Sequence, residues 1–127
     1  MPTVSRRLAP TGERHNTVPV SYPLALGLTL AVEVPIFVVA LRVARLLPIR
    51  QAVVIAVGVN LATHPVVWLV LVRAGSAYWP LFGVVEVGAW LGEAALILLC
   101  VRCDRAVIGL TALVANTGSC LAGLLLS

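Results

Sequence analysis

The chain has 127 residues, of which 61% are hydrophobic and only 11% are charged, and its mean hydropathy is +1.06. Soluble domains carry about 25% charged and about 45–50% apolar residues, so the composition excludes a soluble domain and indicates a protein dissolved in lipid. The formal net charge is +4, and all nine basic residues are arginines that lie singly or in pairs between apolar runs. Because they form no stripe that could follow a phosphate backbone, no nucleic-acid partner is expected.

The first element in chain order is a polar segment, residues 1–21, which contains three prolines and several Ser and Thr residues. It shows no apolar periodicity, so it is predicted to be a mobile N-terminal tail. We do not interpret it as part of a signal peptide, because the apolar run that follows is too long for the hydrophobic region of one.

Four apolar stretches then follow, at residues 22–41, 52–72, 81–101 and 106–126. Each has about the 20 residues that a helix needs to cross the roughly 30 Å hydrocarbon layer. The connections at 42–51, 73–80 and 102–105 are short, so each helix must run antiparallel to the one before it. The sequence therefore predicts an all-α, integral membrane four-helix bundle over residues 22–127.

The orientation is predicted from the arginines close to the span ends. One side of the membrane receives Arg42, Arg45, Arg50, Arg102 and Arg105, and the other receives Arg14 and Arg73, with Arg6 and Arg7 farther away. This bias favours cytoplasmic first and third connections, both termini outside, and a place in a bacterial inner membrane; dual insertion is the alternative. Aromatic residues near the opposite interface resemble an aromatic belt. They are Tyr22, Trp68, Tyr78 and Trp79.

Polar residues inside the spans are the main functional signal. They are Glu33, Asn60, Thr63, His64, Glu86, Glu93, Asn116 and Ser119. Each acidic residue at the bilayer centre costs about 2.5–3.5 kcal/mol on insertion scales, so three of them require partners, protons or a function.

The helical rise places five of these groups, one or more from each helix, at a common depth. Counted from the Tyr22 face, the five lie between about 12 and 18 Å. They are Glu33, Asn60, His64, Glu93 and Asn116. Glu86 lies nearer that face, at about 8 Å, on the same side of its helix as Glu93. A polar layer in the middle of the membrane is therefore expected.

Two prolines are predicted to support this layer. Pro65 and Pro35 each remove a backbone hydrogen bond, which leaves free carbonyls one turn earlier, near His64 and Glu33. Interrupted helices of this kind often build ion and substrate sites at mid-membrane depth.

Structural alternatives exist for each polar residue. The Asn, Thr and Ser side chains could serve only as hydrogen bonds between helices, worth about 0.6 kcal/mol each in lipid. Glu86 could form an ion pair with Arg73. Glu33 and Glu93 could be carboxylic acids kept neutral by their apolar surroundings. His64 could orient a Glu instead of binding a metal.

Other catalytic signals are weak or missing. Cys100 and Cys103 form a CxxC pair, but a structural zinc site needs four ligands and Cys120 is predicted to lie about 20 Å away. The sequence contains no HExxH, GxSxG, Walker or GxGxxG pattern. The sequence therefore gives no support to hydrolase or nucleotide chemistry, and an intramembrane metal-dependent enzyme ranks third among the functional hypotheses.

The pattern resembles a group of small bacterial four-pass membrane proteins of no established function. The similarity covers residues 22–127 and rests on Glu33-Val-Pro35, on residues 60–65 (NLATHP), on the Glu86 and Glu93 pair, and on residues 115–119 (ANTGS). It implies no activity. The length and the intramembrane Glu are also similar to small multidrug transporters, but those proteins hold one essential membrane carboxylate where this chain has three, so the likeness is architectural.

The leading hypothesis is a buried site that binds a proton or a metal cation, in a transporter or transporter subunit. Glu33 and Glu93 would carry the charge, His64 would act as ligand or proton relay, Asn60 and Asn116 would donate neutral oxygens, and Glu86 would stand at the access side. Supporting residues would be Thr63, Pro35, Pro65 and Ser119. A homodimer or a larger membrane complex is the expected assembly. The rival hypothesis is a structural or assembly subunit with no activity of its own.

Overall fold

A computed structural model describes residues 21–102 and 104–126 of the chain. The predicted mobile tail, apart from Ser21, and Cys103 of the CxxC pair lie outside the described residues. The helices are α1 Tyr22–Val43, α2 Ile49–Val72, α3 Tyr78–Cys100 and α4 Arg105–Leu126, with a 3-10 turn at Gly75–Ala77. All four are long and apolar enough to cross a membrane, which confirms the predicted all-α transmembrane bundle.

The helices pack in a ring. α1 packs against α2, α2 against α3, α3 against α4, and α4 returns to α1. Because short connections, residues 44–48, 73–77 and 101–104, join consecutive helices, neighbouring helices are antiparallel. The beginnings of α1 and α3 therefore lie at one end of the bundle together with the ends of α2 and α4.

Local chemistry explains where the helices begin and end. α1 closes with a Schellman turn in which Leu46 N donates to Leu41 O and Arg45 takes a positive φ of 55°. Asp104 Oδ1 accepts a 2.8 Å hydrogen bond from Ala106 N and so caps the start of α4. α3 starts before the predicted residue 81, because Pro80 occupies the first helical turn, where a missing N–H costs no hydrogen bond.

The half of the bundle near the first and third connections is a packed apolar core, which we call the apolar half. Its large buried side chains are Phe37, Leu41, Ile97 and Ile108. Small residues on α2 and α4 complete it and let the helices approach closely: Ala52, Ala56, Ala112 and Ala115.

The outward faces carry large apolar side chains, such as Leu99 and Val43, which are 83% and 78% exposed. Exposed apolar surface of this extent suits lipid contact and would be unusual in water. The other half of the bundle differs from the apolar half, because most of its buried residues are polar and surround a cavity.

Candidate functional site

A cavity of about 230 Å³ lies in the half of the bundle where α1 and α3 begin. We call it the carboxyl cavity. Its inner end is lined by Glu33, Asn60, Thr63, Glu93, Asn116 and Ser119, and its opening by Trp68, Leu71, Tyr78, Phe82 and Leu124. Thr29, His64, Glu86 and Cys120 line the wall between these two sets. All four helices contribute, so a single chain is enough to form it.

Glu93 is the centre of the inner end. Its side chain is only 2% exposed, and its Oε1 accepts a 3.0 Å hydrogen bond from Thr63 Oγ1. Its Oε2 accepts a hydrogen bond from Asn116 Nδ2, which also donates to Ala112 O at 3.1 Å. Both oxygens of the carboxyl group are thus occupied, and the contacts join α2, α3 and α4.

Glu33 has a less complete environment. Its side chain is 1% exposed, and its Oε1 accepts a hydrogen bond from Ser119 Oγ. Its Oε2 is buried without a hydrogen-bond partner among the described residues. The Asn60 side chain contacts this carboxyl group, its Nδ2 donates to Ala56 O at 3.1 Å, and its Oδ1 is also buried without a partner in the described ranges. Each of these two neighbouring side chains therefore keeps one buried acceptor atom unpaired.

Glu86 lies nearer to the opening, as its predicted depth requires. The thiol of Cys120 is within hydrogen-bonding contact of its carboxyl group. Arg73, the partner considered in the ion-pair alternative, instead donates to Leu69 O at 3.2 Å and so caps its own helix. The Glu86 carboxyl group thus belongs to the cavity wall.

His64 is placed between the carboxyl groups and the opening. Its ring lies 5.6 Å from that of Tyr22, and the Tyr22 ring lies 5.5 Å from that of Trp68. Its Nδ1 is a third buried atom that has no hydrogen-bond partner in the part of the chain that the structure describes. His64 is therefore held by aromatic contacts, and the structure gives no contact from its Nδ1 to a Glu.

Electrostatics make the cavity strongly unfavourable for three ionised carboxylates. Glu33, Glu86 and Glu93 are close enough to one another for their negative charges to interact repulsively. The described lining residues include no Lys or Arg that could offset them. In a buried setting, like charges without counter-charges are tolerated only when protons or cations accompany them.

The structure brings together most of the residues predicted for the site. All six predicted proton or cation ligands line the cavity, and so do Thr63 and Ser119. Pro35 and Pro65 do not, because they lie on the exposed outer face and both helices continue through them. Near the site, α4 approaches α1 closely at Gly118, where an added Cβ would lie 3.3 Å from Val32 Cγ1.

Several lining residues were missed in the sequence, although helical spacing could have found them. Thr29 lies one turn before Glu33, and Cys120 lies four residues after Asn116. Phe82 likewise lies one turn before Glu86. The aromatic residues near the opening were assigned only to the membrane interface.

No metal centre is formed in the described ranges, since no three His, Cys, Asp or Glu side chains are arranged there to hold a metal ion. The oxygens of Glu93 already accept hydrogen bonds from Thr63 and Asn116. The donor set therefore fits a proton or a hydrogen-bonding cation better than a fully coordinated metal ion.

No family model, curated protein or solved structure matches the chain.

Proposed function

We propose that the carboxyl cavity binds a proton or a cation at Glu33 and Glu93. The observation that carries this proposal is the unpaired set of acceptors, Glu33 Oε2 and Asn60 Oδ1, at the buried end of a cavity with three carboxyl groups. A proton on Glu33 would donate to Asn60, and a cation would serve both oxygens. Either one would also reduce the repulsion among the carboxyl groups.

Transport is the most natural use of such a site. The cavity reaches mid-membrane depth from one end and is closed at the other by the apolar half, an arrangement that suits access from one side at a time. We place the chain in a bacterial cytoplasmic membrane, with both termini outside, as a homodimer or as part of a larger complex. Each chain of this assembly would then contain its own carboxyl cavity.

A structural subunit is the second candidate, and the interhelical hydrogen bonds favour it. Ser119 and Glu33 join α4 to α1, while Glu93 joins α3 to both Thr63 of α2 and Asn116 of α4. Such bonds could serve to fix the register of four otherwise apolar helices. In that case the carboxyl groups would remain neutral and would bind nothing.

Infrared difference spectroscopy separates the two candidates. With purified protein in lipid nanodiscs, the proposal predicts a band of protonated carboxyl groups that disappears as the pH rises or as a cation is added. Glu33→Gln and Glu93→Gln should each remove part of this band, because Gln preserves the shape and hydrogen bonding but cannot ionise. Asp104→Asn is the matched control, since Asp104 lies outside the helices and should not contribute to the cation-sensitive band.

The two variants must insert and fold, which circular dichroism and size-exclusion chromatography check. A band that stays unchanged from mildly acidic to strongly alkaline pH, and with every cation tested, would reject the proposal. The carboxyl groups would then be permanently neutral hydrogen-bonding groups, as the structural candidate requires.

A further inference from the structure

The carboxyl cavity contains three buried hydrogen-bonding atoms that lack a partner among the described residues. They are Glu33 Oε2, Asn60 Oδ1 and His64 Nδ1. Glu33 and Asn60 are 1% and 0% exposed, and all three side chains line the same cavity. Leaving a buried polar atom unpaired costs about 1–3 kcal/mol, so three in one cavity point to a missing ligand.

The first two atoms are acceptors, and the imidazole Nδ1 can also accept. The missing ligand must therefore supply donors. A primary ammonium group carries three N–H donors, one positive charge and no acceptor. It matches the three atoms in number and the carboxyl-rich cavity in charge. A bare hard metal ion would instead need about six to eight oxygen ligands, and the described residues form no metal-binding group.

The opening of the cavity indicates what the ammonium group is attached to. Trp68, Tyr78 and Phe82 line it together with the aliphatic side chains of Leu71 and Leu124. The Tyr78 and Phe82 rings are stacked, with centroids 5.9 Å apart. Aromatic and aliphatic walls bind hydrocarbon, and aromatic faces also attract ammonium ions. The cavity, at about 230 Å³, is also far larger than a single water or ion requires.

We infer that the carboxyl cavity binds a primary ammonium ion that carries an apolar body. The ammonium group lies at Glu33, Asn60 and His64, and the apolar body lies among the aromatic side chains of the opening. This inference rests on the proposed function, because it names the chemical class of the cation. Two sources supply this chemistry: a free hydrophobic amine and the ethanolamine headgroup of a phospholipid.

The test measures equilibrium binding of radiolabelled 2-phenylethylamine, protonated at pH 7, to the full chain in phosphatidylcholine nanodiscs. Saturable binding is expected. 2-Phenylethanol, which has the same body without the charge, and the N,N,N-trimethyl derivative, which has the charge without N–H donors, should each compete at least tenfold more weakly. Phosphatidylethanolamine in the nanodisc should compete if the lipid is the source and should leave binding unchanged if a free amine is.

Two matched pairs of variants locate the site. Glu33→Gln should weaken binding at least tenfold, whereas Thr111→Val should not, because the Thr111 hydroxyl donates to Val107 O of its own helix and lies outside the cavity. Trp68→Ala should weaken binding severalfold. Leu99→Ala should not, because Leu99 is 83% exposed and does not line the cavity.

The outcomes separate this inference from the proposed function. Equal binding of the trimethyl derivative would overturn the donor match, although a cation site would remain. A cation-sensitive carboxyl band without any amine binding would also overturn the inference of an ammonium ligand and leave the proposed cation site in place. Absence of both the amine binding and the carboxyl response would overturn the inference and the proposed function together.

Discussion

Glu33→Gln should stabilise the ligand-free protein even though it should weaken amine binding at least tenfold. In the wild type, the Asn60 side chain contacts the Glu33 carboxyl group, and Glu33 Oε2 and Asn60 Oδ1 are both buried without a hydrogen-bond partner among the described residues. The Gln amide would supply an N–H to Asn60 while its oxygen continues to accept from Ser119. One substitution therefore replaces two unpaired acceptors with a hydrogen bond.

The size of the gain follows from these contacts. An unpaired buried acceptor costs about 1–3 kcal/mol, whereas side-chain hydrogen bonds inside membrane proteins are worth about 0.6 kcal/mol on average. A net stabilisation of about 1 kcal/mol is expected. The gain should increase with pH, because a higher pH leaves less wild-type Glu33 with a proton to share with Asn60, and the amide does not titrate.

Reversible unfolding in mixed micelles, followed by circular dichroism at acidic and alkaline pH, measures this difference. Glu93→Gln is the matched comparison, because both Glu93 oxygens already accept hydrogen bonds and the substitution gains no new partner. It should be about 1 kcal/mol less stable than Glu33→Gln. A Glu33→Gln protein that is less stable than wild type at both pH values would refute the reasoning. It would favour the structural candidate, since removing a residue that serves binding commonly stabilises a protein.

Two further predictions concern the ends of the helices. Arg45→Gly should stabilise the protein by about 1 kcal/mol in the same unfolding assay, because Arg45 holds a positive φ of 55° that glycine adopts without strain; an unchanged or lower stability would contradict the Schellman turn. In a background without native thiols, a membrane-impermeant maleimide applied to intact cells should label Ser76→Cys and not Arg45→Cys, as the arginine bias requires. Equal labelling of both positions would indicate dual insertion.

The fold could be predicted from the sequence because the bilayer leaves little choice. A run of about 20 apolar residues must be helical to satisfy its own backbone, and short connections then fix the antiparallel order. The start of α3 was missed because Pro80 looks like a loop residue, although a proline in a first helical turn loses no hydrogen bond.

The residues that form the site could also be predicted from the sequence, since the depth of each residue in the membrane follows from the constant helical rise. Glu33, Asn60, Glu93 and Asn116 do meet at the inner end of one cavity. The hydrogen-bond partners within the site could not be predicted, because the rise along a helix axis gives no information about which helix faces which. Glu93 accepts hydrogen bonds from Asn116 and Thr63, whereas Glu33 accepts one from Ser119. These pairings depend on how the helices are rotated and ordered in the ring.

The outward position of Pro35, by contrast, could be predicted from the sequence. Both prolines are predicted to free a carbonyl toward the site, but the spacing of Pro35 from Glu33 contradicts this. Pro35 follows Glu33 by two residues, which is about 200° around a helix, so a Glu that faces inward places this proline outward. The exposed position of Pro35 is thus a consequence of the buried position of Glu33.

The two halves of the bundle have opposite packing, and this difference controls access to the site. Buried alanines such as Ala56 and Ala112 let the helices close tightly around Phe37 and Ile97, and this closed packing lies beyond the carboxyl groups as seen from the opening. Separating it would expose well-packed side chains, each of which stabilises the closed form by dispersion and burial. A ligand bound in the carboxyl cavity, as proposed, would therefore exchange through the Tyr22 end of the bundle. Transport to the other side would require ligand binding to supply enough free energy to open the apolar half.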